Sequence, residues 1–124
     1  MPTTTTMPQV DRAAASEAAV RARQARAALK ERLRAGSYDH RQALIDSADA
    51  SLEASSPLAT LRVSEFLETL PFVGRVKRGR MMADLAISDR KRLGGLGHRQ
   101  RRELWDLLDS WLRAHPTTDP EEGR

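Results

Sequence analysis

Leu70-Pro71-Phe72-Val73-Gly74-Arg75-Val76-Lys77-Arg78 decides how this chain folds. An apolar segment with helical spacing, Val63, Phe66, Leu67 and Leu70, runs into Pro71. The chain then turns, Gly74 closes the turn, and a strongly basic helical segment begins. Pro71 cannot easily continue a helix, and Gly74 permits a positive φ just ahead of the second helix. The reading is helix, tight turn, helix, with the second helix pointing backbone N–H groups outward. Such an end attracts phosphate through those donors and through the helix dipole. The amides of Gly74, Arg75 and Val76 are expected to hold one phosphate, with Arg75 and Lys77 beside it and Arg78 and Arg80 as further phosphate contacts. An ordinary turn between packed helices also favours Pro and Gly. Four of the six residues from Arg75 to Arg80 are basic, which a purely structural hairpin does not need. A nucleic-acid backbone is the simplest partner.

The distribution of charge agrees. The net charge of +4 over 124 residues conceals an alternation. Residues 12–34 carry seven Arg/Lys and two Glu, net +5, and residues 39–68 carry six acids and two bases, net −4. Residues 75–102 carry ten bases and two acids, net +8, and residues 103–123 carry six acids and one base, net −5. An oriented distribution of this kind steers an anionic polymer, although a charge run is also the ordinary appearance of a solvated helix face. The chain has one-domain length and a small core. Five aromatics (Tyr38, Phe66, Phe72, Trp105, Trp111) are too few for a base-stacking sheet. Without cysteine there is no disulfide framework and no thiolate metal site. No segment has the roughly 20 apolar residues of a membrane span, so no membrane partner is expected. Met1 to Gln9 lacks the basic and apolar regions of a signal peptide.

Periodicity points to an all-α fold, with no alternating strand pattern. Residues 1–10 read as a disordered tail, residues 11–36 as a long Ala/Arg-rich helix capped by Asp11 and stopped by Gly36, residues 37–115 as a helical domain holding the turn, and residues 116–124 as an acidic disordered tail. The stripe of the long helix (Ala15, Ala18, Ala22, Ala25, Leu29, Leu33) is mostly alanine and buries little area. Only its Leu29–Leu33 end is expected to dock, the remainder projecting or packing on a partner. A short helix is expected from Tyr38 to Ala48 with Leu44 and Ile45 inward, then a linker over 49–62 with a turn at Ser55-Ser56-Pro57. Next come a helix from Val63 to Leu70 capped by Ser64, and one from Arg75 to Ala86 with Val76, Met81, Met82 and Leu85 in the core. Ser88 caps a short turn through Leu93. The last helix runs from His98 to Ala114, with Leu104, Leu107, Leu108, Trp111 and Leu112 at amphipathic spacing, and His115-Pro116 ends it.

A second basic constellation is Arg90-Lys91-Arg92, then Gly94-Gly95-Leu96-Gly97, then Arg99. Successive cations beside a glycine loop can reach into a groove, where arginine is favoured by groove shape. Leu96 is read as a core plug rather than a wedge. The glycine run is not a phosphate-binding P-loop, because no Lys-Ser/Thr follows and no strand precedes it. His40, His98 and His115 lack metal-ligand spacing, and no nucleophile–base pattern is visible. Neither a metal, a cofactor nor an enzymatic activity is expected.

Residues 61–88, LRVSEFLETLPFVGRVKRGRMMADLAIS, followed by RKRLGGLGHRQ over 90–100, resemble the actinobacterial type of integration host factor. These are small nucleoid-associated proteins with a helix–two-turn–helix fold, a turn also found in a ribosomal small-subunit protein and in some DNA glycosylases. The resemblance implies a DNA-binding turn over Leu70, Pro71, Phe72, Val73, Gly74, Arg75, Val76 and Lys77. It implies a lid over the DNA from Ser88 to Gln100, carrying Arg90, Lys91, Arg92, Gly94, Gly95, Leu96, Gly97 and Arg99. It further implies binding to double-stranded DNA with little sequence preference, an influence on DNA topology and compaction, a cytoplasmic, nucleoid location, and a monomer on DNA rather than an obligate oligomer. The sequence departs from the family pattern at three places. Phe72 stands at the first Gly of Leu-Pro-Gly-Val-Gly, Gly94 at the Arg of Arg-Gly-Leu-Gly, and Lys91 where an Arg is expected. Phe72 either blocks backbone approach or points away. The glycosylases carry an N-terminal Pro followed by Glu, whereas Pro2 here precedes Thr3. Two alternatives remain: an RNA- or ribosome-associated binder using the same turn, and a protein-interaction module.

Overall fold

The structure, a computed structural model, describes residues 7–50 and 56–116. Its elements are α1 (Met7–Ala35), α2 (His40–Ala50), α3 (Pro57–Thr60), α4 (Val63–Glu68), α5 (Arg75–Leu85), a 3-10 turn (Leu93–Gly95) and α6 (His98–Ala114). The fold is all-α, and among the described residues the only extended pairing is a single antiparallel bridge between Arg62 and Arg92.

The long first helix begins at Met7, so Asp11 is not its cap, and residues 7–10, expected in the tail, are helical. Pro8 does not prevent this, because the first helical turn needs no amide donor from it. The rest of that expected tail, residues 1–6, lies outside the described residues, as do 117–124 of the acidic tail and 51–55 of the expected linker. Gly36, at φ +80°, stops α1. Its amide donates to the Leu33 carbonyl at 3.2 Å and that of Ser37 to Arg32 at 3.1 Å, the pair of bonds that a left-handed C-terminal glycine makes. Residues 12–20 of α1 are exposed, while Leu29 and Leu33 are buried. Alanine offers too little surface to fasten the first half, whereas a fully buried leucine contributes about 2 kcal/mol.

Asp39 starts α2 by accepting the Gln42 amide at 3.0 Å. The inward face of α2 is His40, Ala43, Leu44 and Ser47. Ile45, expected inward, is half exposed, because it lies one residue, or about 100°, off that face. The expected linker contains α3. Ser56 is its N-cap, accepting the Ala59 amide, and Pro57 occupies the first helical position. This turn signal therefore starts a helix, and Leu58, Ala59 and Leu61 beside it are buried. Ser64 does not cap α4. The cap position is Arg62, which makes no side-chain cap bond, and Ser64 is buried inside the helix.

Phe66, Leu67, Val63, Leu61, Leu93, Leu104 and Leu108 are completely enclosed. The core thus gathers α4, α6, the end of α1, α2 and the 3-10 turn. Arg101 of α6 locks three of these together. It donates to the Leu44 carbonyl at 3.1 Å, Ser47 Oγ at 2.6 Å and the Leu93 carbonyl at 2.9 Å. Burial pushes its pKa downward, and its contacts are neutral acceptors rather than carboxylates. Arg101, one of the ten bases in the 75–102 block, is committed to the fold.

Candidate nucleic-acid interface

The turn between α4 and α5 is built differently from the sequence expectation. The residue in left-handed backbone is Phe72, at φ 65°. Gly74 is extended at φ −100° and serves as the N-cap of α5. Pro71 followed by a positive-φ residue, closed by the Val73 amide on the Leu70 carbonyl at 3.3 Å, has the features of a type II turn, in which glycine is usual at the third position. Phe72 adopts that conformation under strain. Its side chain is 79% exposed and leans on His115, with ring centroids 5.7 Å apart.

Past the turn, the first amides of α5 have no carbonyl one turn back to bond, and no side chain caps them. The first amide with such a partner is Arg78, which donates to the Gly74 carbonyl at 2.9 Å. A Cβ placed on Gly74 meets nothing within 4 Å, so a ligand can approach the backbone there. Arg75, Lys77 and Arg80 are exposed around this end. Arg78 differs: it is half buried and paired with Glu68 of α4, on the face of α5 that also carries the buried Met81, Met82 and Leu85. Val76, expected in the core, is 75% exposed, because it falls outside that 78, 81, 82, 85 spacing.

The C-terminal end of α6 supports the turn. Trp111 donates its indole N–H to the Pro71 carbonyl at 2.8 Å. The ammonium of Lys77 lies 5.4 Å from the centre of the Trp111 ring. His115 stacks on the same ring at 4.0 Å. Sequence reading assigned Trp111 only to the core stripe. The signal for more was present in the residue type, since a partly buried indole N–H seeks an acceptor. From beneath, His40 of α2 contacts Thr69, the residue before Leu70, through Nε2 and Oγ1 at 2.9 Å. The Thr69 hydroxyl donates to the Phe66 carbonyl at 2.6 Å, which leaves its lone pair to accept an Nε2–H. His40 is buried against Phe66, and that burial lowers its pKa.

The second basic constellation is anchored at the other end of α4. The Val63 amide donates to the Lys91 carbonyl and the Leu93 amide to the Leu61 carbonyl, both at 2.9 Å. These bonds flank Arg62 and Arg92, making them the closely spaced, non-hydrogen-bonded type of antiparallel pair, whose side chains share one face. Two exposed arginines therefore stand side by side. Arg62 was missed as a site candidate. It was visible as a base in an acidic block, but pairing across 30 positions is not encoded locally. The short helix expected from Ser88 to Leu93 is absent. Ser88 Oγ instead accepts the Arg90 amide at 3.2 Å, and the helical turn comes later, at Leu93–Gly95.

Within this segment the roles divide. Arg90 and Arg92 are exposed and Lys91 is half buried. Arg99 is exposed and pairs with Glu103 at 3.3 Å. Leu96 is buried, in keeping with a core plug. Gly94 faces inward: a Cβ there would sit 2.9 Å from Ala59 Cβ and 3.0 Å from the Ala59 carbonyl oxygen. Gly95 has only an ordinary contact with Lys91, and Gly97 is the N-cap of α6. The turn and the arginine pair thus occupy opposite ends of α4, whose six residues span about 9 Å.

Residues 40–107 match the family model described as the S13-like H2TH domain. Three proteins named integration host factor are similar to this chain. That of Mycolicibacterium smegmatis is 45% identical over 79% of this chain and 89% of its own length. That of Mycobacterium tuberculosis is 44% identical over 80% and 90%. That of Streptomyces coelicolor is 37% identical over 75% and 82%. A solved structure described as sIHF bound to an 8bp palindromic DNA matches with a TM-score of 0.65 and 30% identity, covering 74% of this chain and 98% of that one.

Proposed function

The chain belongs to the integration host factor family built on the S13-like H2TH domain, and from that premise we propose that it is a double-stranded DNA-binding, nucleoid-associated protein. It works by binding DNA and not by catalysis. The observation that carries this reading is the open N-terminus of α5: uncapped amides, space over Gly74, and Arg75 and Lys77 exposed on either side. Those groups recognise phosphate, which carries no sequence information. Little sequence preference follows. Arg62, Arg90, Arg92 and Arg99 supply a second cationic element that tracks the backbone or enters the minor groove, where guanidinium groups are drawn by shape. One chain carries both elements, so binding as a monomer needs no partner subunit. Contact with DNA in this way alters its topology and compaction and places the protein on the nucleoid.

The test is fluorescence anisotropy with two unrelated duplexes across a salt series, on the native chain and on Arg75→Ala/Lys77→Ala. Similar affinities for both duplexes are expected, with log K falling by about 0.9 per phosphate neutralised for each tenfold rise in salt, and weakened binding to both in the variant. Unchanged affinity in the variant removes the turn from the interface. Tighter binding to a structured RNA competitor than to either duplex replaces DNA with RNA as the partner.

A further inference from the structure

The turn carries an apolar surface that a phosphate does not need. Among the described residues the exposed large hydrophobic side chains are Val20, Ile45, Phe72 and Val76, and the two most exposed, Phe72 and Val76, stand on either side of Gly74. Phe72 is also held in place. Its backbone is fixed in the left-handed region at φ 65°, a conformation that glycine would supply without strain. The carbonyl just before it, that of Pro71, accepts the Trp111 indole N–H at 2.8 Å. Its ring ends a column of three. Trp111 and His115 lie 26° apart with centroids at 4.0 Å, and Phe72 meets His115 at 5.7 Å and 50°. At that tilt the imidazole does not lie flat on a face of the phenyl ring, and Phe72 stays 79% exposed.

We propose that Phe72 is a stacking platform for an unpaired base, so that the turn binds a junction between duplex and single-stranded DNA in preference to continuous duplex. The inference rests on reading the turn as the phosphate site and adds a second ligand element to it, the face of a base. Three arguments support it. The first is position. The Cα atoms of Phe72 and Gly74 are at most about 7.6 Å apart, two peptide units, and successive phosphates advance about 3.4 Å along one strand. A phosphate held over Gly74 therefore leaves the ring within a nucleotide or two of its own base. The second is the kind of surface. In continuous duplex each base is covered on both faces by its neighbours and shows only its edge in the groove. A free face exists at an end, a gap or an unpaired nucleotide, whereas an internal step offers one only after it is unstacked, at a cost in free energy. An exposed phenyl ring matches the first kind of ligand without that cost. The third is preorganisation. A ring already fixed by its backbone, by the bonded Pro71 and by His115 loses little freedom when a base arrives. Every base has a π-face, so stacking tolerates any sequence. The added selectivity is for the state of strand pairing and not for base identity.

The experiment uses the full chain, Phe72→Leu, which keeps an apolar side chain and removes the π-face, and Phe72→Tyr, which keeps the ring. Anisotropy is measured on a blunt duplex, on the same duplex with a short single-stranded extension, and on that extension built from abasic nucleotides, which has the same phosphates and no bases. A further probe carries the fluorescent base 2-aminopurine at the first unpaired position. The native chain is expected to bind the base-bearing extension several-fold more tightly than the abasic one and to quench the 2-aminopurine. Phe72→Leu should bring the ratio of the two affinities close to one and abolish the quenching, and Phe72→Tyr should restore both. Equal affinity for the two extensions, with unchanged fluorescence, overturns the proposal. A preference that survives in Phe72→Leu overturns it too, since the base then stacks elsewhere. In both cases, binding to the blunt duplex leaves the reading of the turn as a phosphate site standing. Failure to bind any of the probes rejects that reading and the platform with it.

Discussion

The indole N–H of Trp111 is bonded to the carbonyl oxygen of Pro71 at 2.8 Å. This ties the last turn of α6 to the middle of the basic turn, 40 residues earlier in the chain. It fixes the direction in which the turn presents the start of α5. The Trp111→Phe variant retains most of the packing and loses this bond. It is expected to cost about 1 kcal/mol in urea denaturation and to weaken duplex binding. Unchanged binding at equal stability would show that the turn holds its geometry without α6.

Gly94 and Ala59 meet where the basic segment packs on α3. A Cβ added at Gly94 would lie 2.9 Å from Ala59 Cβ and 3.0 Å from its carbonyl oxygen. Gly94→Ala is therefore expected to destabilise the fold by about 1–3 kcal/mol through overpacking. Gly94→Arg, which installs the residue usual in the family resemblance, is expected to cost at least as much. The double variant Gly94→Ala/Ala59→Gly should recover part of the loss in the same denaturation measurement. Additive losses would locate the strain elsewhere.

Phe72 holds a positive φ with a largely exposed ring. Phe72→Gly relieves the strain while making the unfolded chain more flexible, and is expected to raise stability by up to about 1 kcal/mol. Phe72→Ala removes the ring and keeps the strained backbone, so it should give no gain. Thermal melting of the three proteins separates backbone from side chain.

His40 makes stability depend on pH. Its folded pKa is lowered by burial, with Arg41 acting in the same direction and Asp39 opposing. The unfolded chain therefore binds the proton more readily, and stability rises with pH where the two states differ. The contribution is complete above the ordinary value of about 6.5 and is lost as the pH falls through the lower folded value. Urea midpoints should fall as the pH is lowered from neutral into the mildly acidic range, and His40→Gln should flatten that decline. The perturbed carboxylates Asp46 and Asp109 are shifted downward, so their effects lie at more acidic pH.

Much of the architecture was legible because it is local. The spacing of Leu104, Leu108 and Leu112 defines α6 without knowledge of any partner, and Gly36 stops α1 by backbone freedom alone. Pro71 and the basic run after it mark the start of α5. The errors at Ile45 and Val76 are of one kind. Each is an apolar residue next to a core face, and its neighbour helices, not its hydrophobicity, decide whether it is covered.

The sequence by itself determined the helical class, the position of the turn and the sign of its charge, since these depend on propensity, punctuation and composition over a few consecutive residues. Only the tertiary structure decided which cations remain available to a ligand. Arg78 is drawn to Glu68, Arg101 is consumed by three acceptors on α2 and the 3-10 turn, and Arg62 is brought beside Arg92. Only it moved the strained position from Gly74 to Phe72 and turned Gly94 inward against Ala59. The reason is physical: charge and backbone preference are properties of the residue, whereas availability depends on acceptors and volumes supplied by distant segments.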